Sequence, residues 1–284
     1  MYEEFNYIIE KIYSTPTTKM PFDVLYIEDF FSNEHFNQII NSKQISIDKQ
    51  SSTEDLIDTL TTMKYSPVSF PGCTTNIAEY LKMHNNPNPD KKYNNQLLEG
   101  FGISFRMQEY DNPFLARLVD FLNSDLFHDT IKYKFGKTNP TRVETAIQKY
   151  VSGYEISPHP DIRKKCLTYM ININTTQQSE DLDIHTYFLT FKEDKKHLYD
   201  YWSNNPSVER CWVPWDWCDT VAKHTKNNSI TMFAPADDSL HAVKLDYDHC
   251  QFQRTQIYGN LWYTKGRQSI TEKPQWQDLE KKFS

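Results

Sequence analysis

The sequence predicts a mainly β protein with flanking helices, its strands closing into a sandwich or jelly roll. Two observations carry that expectation. From Thr141 onward, short runs rich in β-branched and aromatic residues follow one another between polar or Pro-containing breaks, whereas helical spacing of apolar residues is confined to the part before it. With only 7 Gly in 284 residues, the chain also lacks a phosphate-cradling loop and a dinucleotide fingerprint, so nucleotide cofactors and the folds built around them are not expected.

Taken in order, residues 1–13 read as a short helix, and Phe22 to Ile27 as a strand. A second helix follows, with Ser32 as its N-cap and its body running through FNQII. Residues 48–95 are polar and rich in Ser, Thr, Asn, Lys and Pro, most of all in HNNPNPDKKYNNQ, and predict surface excursions. Residues 113–127, PFLARLVDFLNSDLF, predict one helix behind a proline suited to the first turn. The β runs are then VETAIQKYV, CLTYMININ, HTYFLTF, SITMFAP, LHAVKL and RTQIYGNLWY. The expected organisation is one domain over 1–284. Residues 1–140 support a β core at 141–265, which carries an insertion at 193–228 and is followed by a tail at 266–284.

Hydrophobic residues at 38% and aromatics at 14%, with 18 Tyr and 17 Phe, suffice for a sizeable core. A net charge of -7 offers no broad basic surface for phosphates, so nucleic acid is not expected and a small-molecule or peptidyl partner is. The five cysteines, Cys73, Cys166, Cys211, Cys218 and Cys250, form no CxxC pair and read as reduced thiols. Neither a signal peptide nor a membrane-spanning run is legible, which predicts a cytoplasmic location. The oligomeric state is not encoded in any pattern.

The chemistry begins at Tyr150-Val-Ser-Gly153-Tyr-Glu-Ile-Ser-Pro-His159-Pro-Asp161, where an imidazole and a carboxylate two residues apart share one face of an extended segment. Alone, such a triplet is as readily a surface turn. A strand end and polar turn at Ala234-Pro-Ala-Asp-Asp-Ser-Leu then deliver His241, a possible third ligand. Two imidazoles and one carboxylate on one face of a metal suit a non-haem Fe(II) oxygenase, because three positions stay open. Arg254 opens the next strand, and its guanidinium fork is suited to grip a carboxylate through two parallel hydrogen bonds.

Together these residues resemble the 2-oxoglutarate/Fe(II)-dependent dioxygenase superfamily, and within it the prolyl 4-hydroxylase-like branch. The opening VLYIEDFFSNEHFNQII is similar to that branch's first unit, Tyr150 and Gly153 fall at its Y-x-x-G, and His241 and Arg254 fall at its distal histidine and cosubstrate arginine. The resemblance implies a double-stranded β-helix core, with His159 and Asp161 on one strand, His241 on the seventh and Arg254 on the eighth. It implies Fe(II) held by His159, Asp161 and His241, with 2-oxoglutarate and O2 as cosubstrates, and hydroxylation of an unactivated C–H with release of succinate and CO2. Because halogenating members have a small residue where Asp161 stands, halogenation is not expected. Around the cosubstrate it places Tyr150 as a phenol donor and Gln256, where many relatives carry a small hydroxyl residue. Tyr169 is a further candidate, with core packing as the plainer role.

Residues 193–228 hold Trp202, Trp212, Trp215 and Trp217, four of the six Trp, and read equally as a lid or as a hydrophobic cluster covering the barrel. Cys211, Cys218 and His224 fit no zinc-site spacing. Asp237 and Asp238 read as turn formers, and Arg163-Lys164-Lys165 as a solvated basic run that could steer an anionic substrate. Two other functions stay open: a zinc-dependent hydrolase using the same His, Asp and His, and a β-barrel binding module without catalysis.

Overall fold

Capping explains where the helices start. The Ser32 hydroxyl accepts from the His35 N–H at 3.2 Å to open helix α2 (Asn33–Ile40), as the sequence predicts, and Ser52 caps α3 (Thr53–Thr62) in the same way. The computed structural model describes residues 2–19, 21–68, 76–85 and 102–265. Before these two helices come α1 (Asn6–Ser14) and the strand β1 (Val24–Ile27), and after them β2 (Tyr65–Pro67), α4 (Ile77–Asn85) and β3 (Ser104–Met107).

Two expectations for this half need correction. Residues 48–95 are not only surface excursion, because α3 buries Leu56, Ile57 and Leu60 behind a polar exterior. Most of HNNPNPDKKYNNQ lies outside the described residues, as do 266–284. The single helix expected over 113–127 is two, α5 (Pro113–Leu122) and α6 (Asp125–Lys134), divided where Ser124 accepts from Phe127 N–H and so begins a new helix.

Eight strands follow: β4 (Thr141–Tyr150), β5 (Glu155–His159), β6 (Lys165–Asn172), β7 (Thr186–Phe191), β8 (Cys218–His224), β9 (Ser229–Phe233), β10 (His241–Lys244) and β11 (Arg254–Tyr263). They form two antiparallel sheets, one ordered β1-β9-β6-β11-β4-β3-β2 and the other β5-β10-β7-β8. Counted from β4, the first, third, sixth and eighth strands lie in the large sheet and the second, fourth, fifth and seventh in the small one. This is the winding of a double-stranded β-helix, a jelly roll. The 193–228 insertion is not wholly outside this core, since its last part supplies β8, an edge strand of the small sheet. The helix α7 (His197–Asn204) lies in its first part.

Period-two alternation in the large sheet separates the two faces. Ile147, Leu167, Tyr169, Ile171, Ile257 and Leu261 pack with the N-terminal helices in the main core, while Tyr150, Met170, Arg254, Gln256 and Tyr258 line a cavity of about 410 Å³ on the other face. That alternation corrects one site assignment. Tyr169 faces the helices and hydrogen-bonds Thr145, so it packs the core and does not reach the cavity. It fits there because its cross-strand partner is Gly259, where a Cβ would overlap the phenol ring.

Two measurements follow from this packing. Gly259→Ala should lower stability by about 1–3 kcal/mol through overpacking, read as a fall in the urea midpoint, and Tyr169→Leu should restore part of it. An unchanged midpoint would refute the close fit. Burial holds His224 neutral down to about 3, with Arg254 adding to the effect, and burial with nearby His84 holds His249 down to about 4. Both folded values lie below the unfolded one of about 6.5, so the unfolded chain takes up these protons first. Stability should therefore be complete above about pH 6.5 and fall on acidification, by up to roughly 2.7 kcal/mol per pH unit for two protons. Urea titrations at pH 7 and pH 5 giving equal stability would contradict this.

Candidate metal centre

Register brings the two histidines together. β10 pairs with β5 so that His241 lies directly across from His159, and their ring centroids are 4.4 Å apart. Asp161 stands just beyond the end of β5, where the chain turns with φ +67, a left-handed conformation that Asp tolerates better than most residues. The expectation that His159 and Asp161 project from one extended strand is thus corrected: only His159 is on the strand, and the turn swings the carboxylate back. Its Oδ1 lies 3.7 Å from His159 Nε2 and its Oδ2 3.8 Å from His241 Nε2. One potential ligand atom from each of the three residues lies within 4.8 Å of the others, and all three side chains are buried.

The imidazole tautomers are fixed from behind. His159 Nδ1 donates to the Ser157 carbonyl at 2.8 Å and His241 Nδ1 to the Ser239 carbonyl at 3.0 Å. Since a carbonyl only accepts, each Nδ1 carries the proton and each Nε2 presents a lone pair toward Asp161. Burial, then His159, keeps His241 neutral down to about 3. Burial alone would raise the Asp161 carboxyl, but the Lys165 ammonium beside it outweighs that and holds the group well below the usual carboxylate range. Two imidazole nitrogens and one carboxylate fit a divalent first-row metal with open positions.

Ser239 is a residue that motif spacing did not single out. Its hydroxyl accepts from Ala236 N–H and lies within donating distance of the Ala236 carbonyl at 2.8 Å and the Pro160 carbonyl at 3.0 Å, while its own carbonyl holds His241. It therefore ties the turn before His241 to the peptide between His159 and Asp161. Asp237, expected only to form this turn, also accepts from Arg163 at 2.9 Å.

Arg254 lies in the same cavity, 2% exposed. Its Nη2 donates to Thr186 Oγ1 at 3.0 Å, its guanidinium lies 4.6 Å from the centre of the Tyr150 ring, and its Nη1 has no hydrogen-bond partner among the described residues. The Gln148 amide is satisfied when its oxygen accepts from Arg106 and its nitrogen donates to the Tyr150 phenol at 2.7 Å, which leaves the phenol its own proton to give. Burial raises the Tyr150 pKa, so it remains a donor. Gln256 lines the cavity too, but its Nε2 is tethered to Asn172 at 2.7 Å. The cavity thus gathers His159, Asp161, His241, Arg254, Tyr150 and Gln256, and excludes Tyr169.

The basic run after the metal residues is not a solvated face throughout. Arg163 donates to the Trp202 and Val208 carbonyls and to Asp237, and lies 3.7 Å from the centre of the Trp202 ring. Lys165 turns inward to Asp161. The Trp-rich insertion is mainly a cover. Trp202, Cys211, Val213 and Cys218 pack with Leu189, Phe191 and Ala242 of the small sheet, and the Val213 N–H donates to Pro158 at 2.9 Å. Only its stretch around Arg210 and Trp212 reaches the cavity, with the Trp212 ring 4.8 Å from His159. None of Cys166, Cys211, Cys218 and Cys250 is in a disulfide, and Cys73 lies outside the described residues.

No protein-family model and no curated protein matches the chain. Among solved structures, a prolyl-4-hydroxylase from Pseudomonas putida aligns over 92% of this chain and 100% of its own at 8% identity, with a TM-score of 0.41. A prolyl hydroxylase from Trichoplax adhaerens, solved with a hypoxia inducible factor peptide fragment, aligns over 92% and 89% at 10% identity and a TM-score of 0.42. HygX from Streptomyces hygroscopicus, with nickel and 2-oxoglutarate bound, aligns over 93% and 87% at 10% identity and a TM-score of 0.37. Among the described residues, no helix is long and apolar enough to cross a membrane.

If Ser239 aligns the metal ligands from behind, Ser239→Ala should weaken divalent-metal binding by about 10–100-fold while leaving the far-ultraviolet circular dichroism unchanged. Competition against a chelating dye measures this, and an unaltered affinity would show that the tether positions nothing.

Proposed function

We propose that this protein is an Fe(II)- and 2-oxoglutarate-dependent dioxygenase that hydroxylates an unactivated C–H of a small molecule or peptidyl residue. The observation that carries the reading is the buried Arg254 guanidinium, with Nη1 unpartnered, in the same cavity as the His159, Asp161 and His241 cluster. A buried cation without a counter-charge is costly, so the site is built for an anion beside a metal. A dicarboxylate reaching from the metal to Arg254 meets both demands, and the resemblance in the sequence names 2-oxoglutarate. A zinc hydrolase would use the three ligands and leave Arg254 without a function.

In this reading His159 Nε2, His241 Nε2 and one Asp161 oxygen hold the metal on one face. Arg254 takes the distal carboxylate through its Nη1, with Thr186 fixing the other arm of the fork and the Tyr150 phenol donating alongside. The small-sheet cover and Trp212 limit water at the centre. Bound together there, Fe(II), 2-oxoglutarate and O2 supply oxidative decarboxylation coupled to hydroxylation, so that one substrate C–H becomes C–OH while succinate and CO2 leave. Binding the cosubstrate and orienting it are the protein's part; the substrate's C–H must lie in the cavity between the metal ligands and Tyr258, Asn260 and Trp262 of β11.

Incubation with Fe(II), ascorbate, oxygen and labelled 2-oxoglutarate should yield labelled succinate, and His159→Ala should reduce it to background. Arg254→Lys replaces a fork with a point donor and should weaken 2-oxoglutarate binding by about ten- to a hundredfold, from a loss of about 1.5–3 kcal/mol. Zinc-dependent hydrolysis without succinate would overturn the proposal.

A further inference from the structure

The cavity is basic in an acidic protein. Among the described residues, Arg106, Lys165, Arg210 and Arg254 line it against two carboxylates, Glu144 and Asp161, in a chain whose net charge is -7. Arg106 and Glu144 form an ion pair on the floor, where the Trp262 indole also donates to Glu144 at 2.9 Å. Arg254 is taken by the cosubstrate's distal carboxylate in the reading above. Lys165 is different. Its side chain is 11% exposed, its Nζ lies 2.6 Å from Asp161 Oδ1 and 2.9 Å from the Tyr258 phenol, and the rings of Tyr258 and Trp262 are each 5.6 Å away.

Asp161 therefore serves two cations. When a divalent metal takes its charge, the metal, Asp161 and the chelating carboxylate of 2-oxoglutarate sum to zero, and Lys165 loses its counter-charge while still buried. A largely buried ammonium is stable only with a partner, and the remaining open space beside it is where the substrate must lie. We propose that the substrate of this site is a small molecule bearing a carboxylate or phosphate, which Lys165 binds at the cavity floor. The inference rests on the oxygenase reading, because it is metal binding that frees the ammonium. Trp212, Tyr258 and Trp262 give the adjoining part of the substrate aromatic surfaces to lie against.

Isothermal titration under nitrogen tests this without turnover, using phenylacetate, phenyl phosphate and neutral phenylacetamide as probes. On protein loaded with Fe(II) and 2-oxoglutarate, one or both anions should bind at least tenfold more tightly than the amide. The anion that binds distinguishes a carboxylate substrate from a phosphate one. The preference should shrink in metal-free protein kept in excess 2-oxoglutarate, so that Arg254 stays occupied, because there Asp161 still neutralises Lys165 and coupling between two sites is reciprocal. Lys165→Met should abolish the preference in the loaded protein and Lys165→Arg should keep it. Equal binding of amide and anions, or a preference that survives Lys165→Met, would overturn the proposal. Should Lys165→Met fail to fold or load metal, the comparison of loaded with metal-free wild type decides alone. Failure of the wild type to load metal at all would sink the oxygenase reading and this inference with it, whereas normal loading and succinate formation without anion preference would sink only the latter.

Discussion

The alternation of β11 is the constraint on which both core and site depend. Arg254, Gln256, Tyr258, Asn260 and Trp262 line the cavity, while Ile257 and Leu261 pack with the helices on the other face and Gly259 makes room there for Tyr169. A slip of one residue would exchange the faces, burying a guanidinium among Phe and Leu and turning Ile257 toward the metal ligands. The strand is pinned on both sides, in continuous register with β4 from Arg254 opposite Tyr150 to Tyr263 opposite Thr141, and with β6 across Gln256 to Leu261. Because one central strand carries both requirements, packing and chemistry select the same register.

Charge in the cavity follows a second rule, that every buried ion has a partner or waits for one. Arg106 has Glu144, Lys165 has Asp161, and Arg163, outside the cavity, has Asp237 together with two carbonyls. Arg254 has only Thr186 and an aromatic face. Burial lowers its pKa, because the charged form is the one that loses hydration there. Among the described residues that line the cavity, Arg254 is thus a buried cation without a carboxylate beside it, and in the proposed reading a ligand carboxylate takes that place.

Much of this was legible in the sequence, and for physical reasons. The six β runs became strands, Ser32 became a cap, and His159, Asp161, His241 and Arg254 fall close together because their spacing matches the winding of the barrel. What stayed hidden depends on long-range contacts. Residues 113–127 look like one amphipathic helix until Ser124 is seen to cap a second. Tyr169 lies on the right strand but at odd parity, and parity cannot be assigned to a run such as CLTYMININ that is apolar on both faces. Ser239 and Lys165 carry no motif. In the sequence Lys165 reads only as part of the basic run Arg163-Lys164-Lys165, a solvated face that could steer an anion, until the chain is folded.

The insertion shows why lid and cover were hard to separate by composition. Large aromatics serve both roles, and what divides them is which surface they meet. Trp202 is held by Arg163, two residues after the Asp161 ligand, and packs with the small sheet's outer face, so it belongs to the scaffold. Trp212 lies ten residues on, where the Val213 N–H has added itself to the exposed edge of β5 at Pro158, and this edge contact carries the indole round to His159. A single hydrogen bond to the strand that bears His159 thus brings one end of a packing cluster to the wall of the cavity. Arg210 and Trp212 stand at that end of the cover, apart from the apolar cluster that holds it down.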